Sequence, residues 1–182
     1  EGSPVNLTRG FSARQNYLAT RIAQPRFVNV FLGRLNSVVE DNGLGDGTLV
    51  GERAVLASQR VVRALRDRHG MATRQIGASL RNGAQVGALA GLDILTMPRK
   101  AAEPFREMGH APGDLIDCTE CDYRPPLAEG VDPERVGLPT LWDVPEGFIK
   151  AVDDLAQEQI DGFSPDDLAG FMAHRGFPEL FP

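Results

Sequence analysis

The 182-residue sequence predicts an α/β fold, in which a parallel sheet is built from strands joined by crossover helices. The first observation is an alternation, over residues 4–108, of short apolar runs with longer amphipathic stretches. The second is composition: 42% of the residues are hydrophobic but only 7% are aromatic, so the core must consist mainly of Val, Leu, Ile and Ala. The third is the lack of any apolar run near 18 residues, which argues against a membrane-spanning helix.

The first half of the alternation predicts a strand, a helix and a second strand. The strands are expected over Pro4–Thr8 and Phe27–Leu32. Ser12 followed three residues later by Gln15 forms a capping-box pattern, so the helix should begin at Ser12 and end near Ala23. Residues 36–51 are polar and rich in glycine, which predicts a loop.

The second half predicts a long helix, a strand, a short helix, a strand and the start of another helix. These elements are expected at Glu52–Arg68, Gln75–Ser79, Asn82–Ala90, Asp93–Met97 and from Pro98 onward. Gly70 should end the long helix in a left-handed conformation. Four such units make half of an eight-stranded barrel or most of a small doubly wound sheet. Neither Gly-x-Gly-x-x-Gly nor Gly-Lys-Ser/Thr occurs, which disfavours a nucleotide-binding loop.

The chain changes character after residue 108. Residues 109–143 contain five prolines and several glycines, which predicts an irregular excursion. Two helices that pack on the preceding region are expected after it. Asp143 and Glu146 form a capping-box pattern before the first helix, and Ser164 begins the second. We therefore expect three regions, covering residues 1–108, 109–143 and 144–182.

The charge balance narrows the classes of function. The net charge is −6, with 17 Arg and only two Lys, which argues against non-specific nucleic-acid binding and against a basic membrane-surface protein. The first residues lack the charged and apolar regions of a signal peptide. Because two cysteines also suit a reducing compartment, we expect a cytoplasmic location.

The two cysteines, Cys118 and Cys121, form a single C-x-x-C motif. One such pair cannot close a four-ligand zinc site, and the nearby His110 would supply only a third ligand. A redox C-x-x-C motif usually begins a helix after a strand, whereas this one lies in the Pro-rich region. We therefore expect neither a bound metal nor a redox role.

Polar residues occur where the predicted strands end, and active sites of parallel α/β barrels lie at that edge. The Ser79 hydroxyl, the Arg81 guanidinium and the first N–H groups of the next helix could hold a phosphate, with Arg34 as a second cation. Asn6 and Thr8 are two residues apart and share one side of the first strand. The alternatives are that Ser79 only caps a helix, with Arg81 in solvent, and that Asn6 and Thr8 only form a hydrogen-bonded layer.

Four segments at the predicted strand ends, in the same order, resemble motifs of the transaldolase family. They are Pro4–Thr8 followed by Phe11, Ser12 and Gln15, then Phe31–Arg34, then Gly77–Asn82, and last Gly91–Pro98. Residues Phe148–Leu168 resemble the C-terminal helix of the family more distantly. The resemblance implies a (β/α)8 TIM barrel of the class I aldolases. In that barrel this chain would supply about strands five to eight and the C-terminal helices.

The resemblance also implies a reaction, the transfer of a dihydroxyacetone unit between sugar phosphates through a Schiff base on a strand-four lysine. That lysine would precede Glu1, and neither Lys100, at a helix start, nor Lys150, on a tail helix, can replace it. The chain alone should be inactive, and the complete protein should be a transaldolase-type transferase of the pentose phosphate pathway that needs no cofactor. The expected partners are sugar phosphates and either further copies of the chain or the N-terminal half of the barrel, but not nucleic acid or a membrane.

The same resemblance assigns roles to six residues. Asn6 would hold the dihydroxyacetone hydroxyls and Thr8 would position the catalytic water. The phosphate would be bound by Arg34, Ser79 and Arg81, and Asn29 replaces a serine that lies beside the substrate in the family. Three alternatives stay open: an aldolase that releases dihydroxyacetone, an enzyme that acts on a sulfonated or other non-phosphate sugar, and a non-catalytic barrel that binds sugar phosphate.

Overall fold

A four-stranded sheet forms the centre of the computed structural model, which describes residues 4–158 and 160–180. The strands are Asn6–Leu7 (β1), Phe27–Phe31 (β2), Arg74–Ala78 (β3) and Ile94–Leu95 (β4). Every neighbouring pair is parallel, and the spatial order β1-β2-β3-β4 follows the chain. The predicted α/β fold with a parallel sheet is therefore confirmed. Over these four strands the order does not reverse as it does in a doubly wound sheet, and an α/β barrel has this winding.

Helices connect the strands and continue after the last one. They are Ala13–Ala23 (α1), Leu32–Asp41 (α2), Val50–His69 (α3), Ala84–Ala88 (α4), Arg99–Glu107 (α5), Glu146–Leu155 (α6) and Pro165–His174 (α7). Between α5 and α6 the backbone forms two single 3-10 turns, Pro112–Asp114 and Leu138–Leu141. None of the helices in the described ranges has the length and apolar composition needed to cross a bilayer.

Several predicted helix ends are confirmed by their hydrogen bonds. The Ser12 Oγ accepts a hydrogen bond from the N–H of Gln15 (3.1 Å), while the Gln15 Oε1 accepts one from the N–H of Phe11 (2.9 Å) rather than from Ser12. Gly70 ends α3 in the left-handed region with φ +67°. Ser164 and Asp167 form a reciprocal capping box at the start of α7.

Two predictions about helix ends are wrong. The stretch 36–51 is not one loop, because α2 extends to Asp41 and only residues 42–49 separate it from α3. Leu32, Leu35 and Val39 recur at helical spacing and are buried, but the polar residues between them hid that period. The second error is the capping box of Asp143. Helix α6 begins after Pro145, which has no side-chain acceptor. Asp143 instead accepts a hydrogen bond from Arg14 at its backbone oxygen (2.7 Å) and donates its N–H to the Pro139 oxygen (2.8 Å).

Two apolar clusters hold the helices in place. The larger lies between the sheet and helices α2 and α3 and includes Val30, Leu32 and Leu56, all fully buried. The smaller joins α1, the end of α3, α6 and α7 around Phe148. The Phe148 ring makes edge contacts with Tyr17 and Phe177, at centroid distances of 6.1 and 5.0 Å. Helices α2 and α3 therefore pack on the sheet through the larger cluster, and α6 and α7 pack on α1 and α3 through the smaller one.

A largely buried ion pair lies at the end of the sheet where the strands begin. Asp93, directly before β4, receives two hydrogen bonds from the Arg66 guanidinium and one from the N–H of Gln75 (3.0 Å). The Asp93 side chain is only 6% exposed. Burial alone would raise the pKa of this carboxyl, but the hydrogen bonds from Arg66 and Gln75 outweigh it and hold the pKa below its usual range.

The variant Asp93→Asn should therefore destabilise the protein by about 3 kcal/mol, because the Arg66 guanidinium, whose side chain is only 16% exposed, loses its charged partner. Asp132→Asn removes an exposed carboxylate that lies 3.8 Å from Arg135, and it should change stability by less than about 0.5 kcal/mol. Urea unfolding measures both values.

The stabilisation from Asp93 should also depend on pH. Because the pKa of Asp93 is lower in the folded protein than in the unfolded chain, its contribution to the free energy of unfolding is complete above the unfolded pKa of about 4. This contribution disappears as the pH falls through the folded pKa. Two results would contradict this role of Asp93: an equal loss of stability in the two variants, or a stability difference between wild type and Asp93→Asn that grows as the pH is lowered.

Candidate functional site

An open cleft of about 580 Å³ lies beyond the carboxyl ends of β2 and β3. Phe31 and Ala78, the last residues of these strands, are paired in register, so the segments that follow them leave the sheet side by side. The cleft is lined by Arg34, Ser37, Val38, Asp41, Ser79, Leu80, Arg81, Pro98 and Lys100. The structure thus brings together the three residues predicted to bind phosphate, Arg34, Ser79 and Arg81.

The cleft is electropositive. Arg34, Arg81 and Lys100 face it together with a single carboxylate, that of Asp41. Within residues 4–158 and 160–180, none of these three cations forms an ion pair. Unpaired cations around a concave site favour an anionic ligand. Sequence reasoning considers Lys100 only as a nucleophile, although its place at a helix start after a strand could have indicated a cation at the same edge.

The backbone of the cleft is strained at Ser79. Its φ of +68° lies in the left-handed region, which costs a residue with a side chain roughly 1–2 kcal/mol. This conformation turns the chain out of β3, and such strain is typical of sites where a ligand is held. Because Ser79 is not glycine, this turn is kept at a cost in local stability.

Gly33 allows the two sides of the cleft to touch. A Cβ atom on Gly33 would lie 2.2 Å from the Ser79 backbone oxygen and 2.5 Å from the Arg81 Nε. Any side chain at position 33 would therefore push α2 away from the β3–α4 loop. Glycine is required here by a close approach of backbone to backbone.

The loop after β3 is held by its own helix. The Arg81 N–H donates to the Gln85 Oε1 (2.6 Å), and the Gln85 N–H donates to the Asn82 Oδ1 (3.1 Å). Asn82, not Ser79, therefore supplies the side-chain acceptor at the start of α4. Among the described residues, the Ser79 hydroxyl caps no helix, and Ser79 lines the cleft.

Asn29, Asn6 and Thr8 lie outside this cleft lining. Asn29 is 4% exposed, and its Nδ2 donates to the Asn6 Oδ1 (2.6 Å) and to the Leu7 backbone oxygen (2.9 Å). Both amide hydrogens are thus used to hold β1 and to orient Asn6. Asn6 and Thr8 are themselves exposed at the end of β1. The structure therefore gives Asn29 a contact to Asn6 that sequence reasoning did not foresee.

The cysteines pack against α4. The Cys121 N–H donates to the Cys118 backbone oxygen (2.9 Å) across a turn, and the Cys118 N–H donates to the Ala90 backbone oxygen (2.8 Å). A hydrogen bond with Cys118 raises the pKa of the Cys121 thiol, which lowers its thiolate fraction. No group of three or more His, Cys, Asp or Glu side chains that could hold a metal occurs in the described part of the chain.

The variant Gly33→Ala should destabilise the protein by about 1–3 kcal/mol, because its Cβ would overlap the Ser79 backbone oxygen. Gly170→Ala is the matched control, since Gly170 lies within α7 with open space around it. Alanine favours a helix, so this control should gain about 0.5–1 kcal/mol. Chemical unfolding followed by Trp142 fluorescence measures both. If Gly33→Ala were as stable as Gly170→Ala, the close contact would be refuted.

Comparison with known proteins gives this geometry a context. A family model described as transaldolase/fructose-6-phosphate aldolase matches residues 1–161. This chain is also similar to three probable transaldolases. It is 35% identical to that of Bartonella bacilliformis over 112 residues, 33% identical to that of Roseobacter denitrificans over 116 residues and 34% identical to that of Brucella ovis over 100 residues. The aligned regions are 58%, 60% and 54% of this chain. These matches cover 45%, 47% and 40% of the relatives, so the chain spans about half the length of the curated relatives it matches. Because the family model covers most of the sequence, the chain belongs to the transaldolase/fructose-6-phosphate aldolase family.

Proposed function

We propose that this chain forms about strands five to eight and the C-terminal helices of a (β/α)8 barrel that transfers a dihydroxyacetone unit between sugar phosphates. The observation that carries the proposal is the convergence of Arg34, Ser79 and Arg81 on one cleft at the strand ends. In an α/β barrel that edge is where substrates bind. The family membership and the partial coverage of the relatives support the same assignment.

The cleft suits the phosphate of donor and acceptor. Two guanidinium groups offer charge-assisted hydrogen bonds that match phosphate oxygens, and the Ser79 hydroxyl adds a neutral donor. Lys100 contributes a third positive charge from the start of α5. Binding energy at the phosphate, remote from the reacting carbons, then orients the carbonyl group for reaction.

The covalent step needs an amine from outside this chain. Lys100 lines the phosphate cleft and Lys150 is exposed on α6, so neither is placed to react with a carbonyl held near Asn6 and Thr8. A lysine elsewhere in the protein condenses with the donor ketone and releases water. Cleavage of the adjacent carbon–carbon bond releases the rest of the donor as an aldehyde and leaves an enamine on the lysine. The enamine adds to the acceptor aldehyde to form a new imine, and water hydrolyses this imine to release the ketose product and free the lysine. Asn6 holds the dihydroxyacetone hydroxyls, and Thr8 positions a water for proton transfer.

The edges of the sheet need a partner in the whole protein. β1 and β4 each pair with a single strand in the described ranges, and Val5 and Met97 beside them are 59% and 41% exposed. Open parallel edges are unfavourable in solution. The remaining half of the barrel, or a further copy of the chain, supplies the cover.

An aldolase that releases dihydroxyacetone is the second candidate, because the description of the matching family includes both activities. The two differ in whether an acceptor aldehyde is required. Turnover of a ketose phosphate by the full-length protein, with and without an aldose phosphate, separates them. Two further alternatives have their own tests. A variant of Arg81 tests for an enzyme that acts on a sulfonated sugar, and trapping of the covalent intermediate tests for a binding protein without turnover.

Arg81→Ala in the full-length protein should raise KM for a phosphorylated donor at least tenfold, an estimate from about 1.5–3 kcal/mol per charge-assisted hydrogen bond. The KM for an unphosphorylated ketose should change little, because no phosphate contact is lost. Arg106→Ala removes an exposed arginine of α5 that does not line the cleft, and it serves as control. An unchanged KM for the phosphorylated donor would remove Arg81 from the site. Tight binding of a sulfonated sugar instead would favour an enzyme for that substrate.

Borohydride reduction of the full-length protein with a ketose phosphate should trap one lysine as a secondary amine, since hydride reduces the imine carbon. Mass spectrometry should locate this adduct outside the present sequence. Lys100→Met and Lys150→Met should leave the trapping intact. An adduct on either residue would contradict the mechanism, and the lack of any adduct would favour a binding protein without turnover.

A further inference from the structure

A buried carboxylate that the proposed reaction does not use lies behind the anion cleft. Glu52, in the first turn of α3, is 4% exposed. Its Oε2 accepts a hydrogen bond from the Asn36 Nδ2 (3.1 Å), and its Oε1 accepts one from the Gln85 Nε2 (2.7 Å). This single side chain therefore connects α2, which lines the cleft, with α4, which follows the loop of Ser79 and Arg81.

The orientation of both amides is set by the backbone. The Asn36 Oδ1 accepts the N–H of Gly51 (2.7 Å), and the Gln85 Oε1 accepts the N–H of Arg81 (2.6 Å). Each amide oxygen is therefore engaged, and each NH₂ group must point toward position 52. A side chain between two NH₂ groups must offer two acceptors and no donor, which an ionised carboxylate does and an amide does not. The position thus requires a carboxylate and not merely a polar residue.

We propose that Glu52 is a positioning residue for the phosphate site. Asn36 is two residues from Arg34 on α2, and Gln85 holds the backbone of Arg81 directly. The carboxylate fixes the spacing between the two segments that bear the arginines. The inference rests on the proposed function, because it assumes that Arg34 and Arg81 bind phosphate, and it extends that function to a residue without access to the ligand.

Electrostatics and positioning predict opposite effects of removing the charge. A buried negative charge near the cleft repels an anionic ligand, so its neutralisation should tighten phosphate binding if charge alone mattered. If the carboxylate acts by position, its neutralisation forces two NH₂ groups together, releases one segment and weakens phosphate binding. The sign of the change in phosphate affinity therefore decides between the two effects.

The test uses three variants of the full-length enzyme. E52Q places an NH₂ group against that of Asn36 or Gln85. N36D places a second carboxylate against Glu52. The double variant N36D/E52Q restores a complete network: the carboxylate at position 36 accepts from the Gly51 N–H and from the amide at position 52, whose oxygen accepts from Gln85. Glu40→Gln, an exposed carboxylate on α2, is the control.

Inorganic phosphate is the probe, measured as a competitive inhibitor, alongside KM and kcat for a phosphorylated and an unphosphorylated ketose. E52Q and N36D should each raise the inhibition constant of phosphate and KM for the phosphorylated donor by about tenfold, which lies within the range of coupling between members of one network. The kcat with the unphosphorylated ketose should stay within about twofold, because the reacting groups are untouched. The double variant should return both constants to within about threefold of the wild type.

Each outcome has a distinct meaning. Unchanged or tighter phosphate binding in E52Q, or a folded double variant that is as weak as E52Q, overturns the positioning role. Should E52Q fail to fold, the phosphate affinity of the double variant relative to the wild type decides the same question. Failure of the wild type to bind phosphate removes the proposed function and this inference with it. Wild-type binding that E52Q preserves removes the inference only.

Discussion

The parallel register of β2 and β3 is the constraint on which the candidate site depends. Five residue pairs run from Phe27 and Arg74 to Phe31 and Ala78, so both strands end at the same level. After β2 the chain continues into α2, and after β3 it continues into the loop of Ser79 and Arg81. Because side chains alternate between faces along a strand, a shift by one residue would turn every inward group outward. The buried valines of β2 make such a shift costly, and the position of the cleft therefore follows from the core.

Helix α3 runs along the sheet from the carboxyl ends of the strands to their amino ends. Glu52 at its beginning is buried near the carboxyl ends of the strands, and Arg66 near its end is bonded to Asp93 at the opposite edge. A carboxylate in the first turn and a guanidinium in the last turn both suit the helix dipole. One helix thus places Glu52 between α2 and α4 and places Arg66 against Asp93, where β4 begins.

The sequence pattern was sufficient for the alternation of strands and helices, because hydrophobic period and capping residues are local signals. The pattern failed at α2, where polar residues such as Asn36 and Glu40 concealed a helix whose apolar face packs on the sheet and on α3. It named Arg34, Ser79 and Arg81 because strand ends can be read from sequence. It could not have found Glu52 or the hydrogen bond from Asn29 to Asn6, since these contacts join segments that are distant along the chain.

The left-handed backbone at Ser79 has a consequence for how the cleft responds to its ligand. The φ of Ser79 is +68°, and the Gln85 Oε1 accepts a hydrogen bond from the N–H of Arg81, two residues further along the chain. The loop is thus held by contacts within the chain itself. An anion in the proposed site would meet groups already in place, and little of its binding free energy would be lost to ordering them.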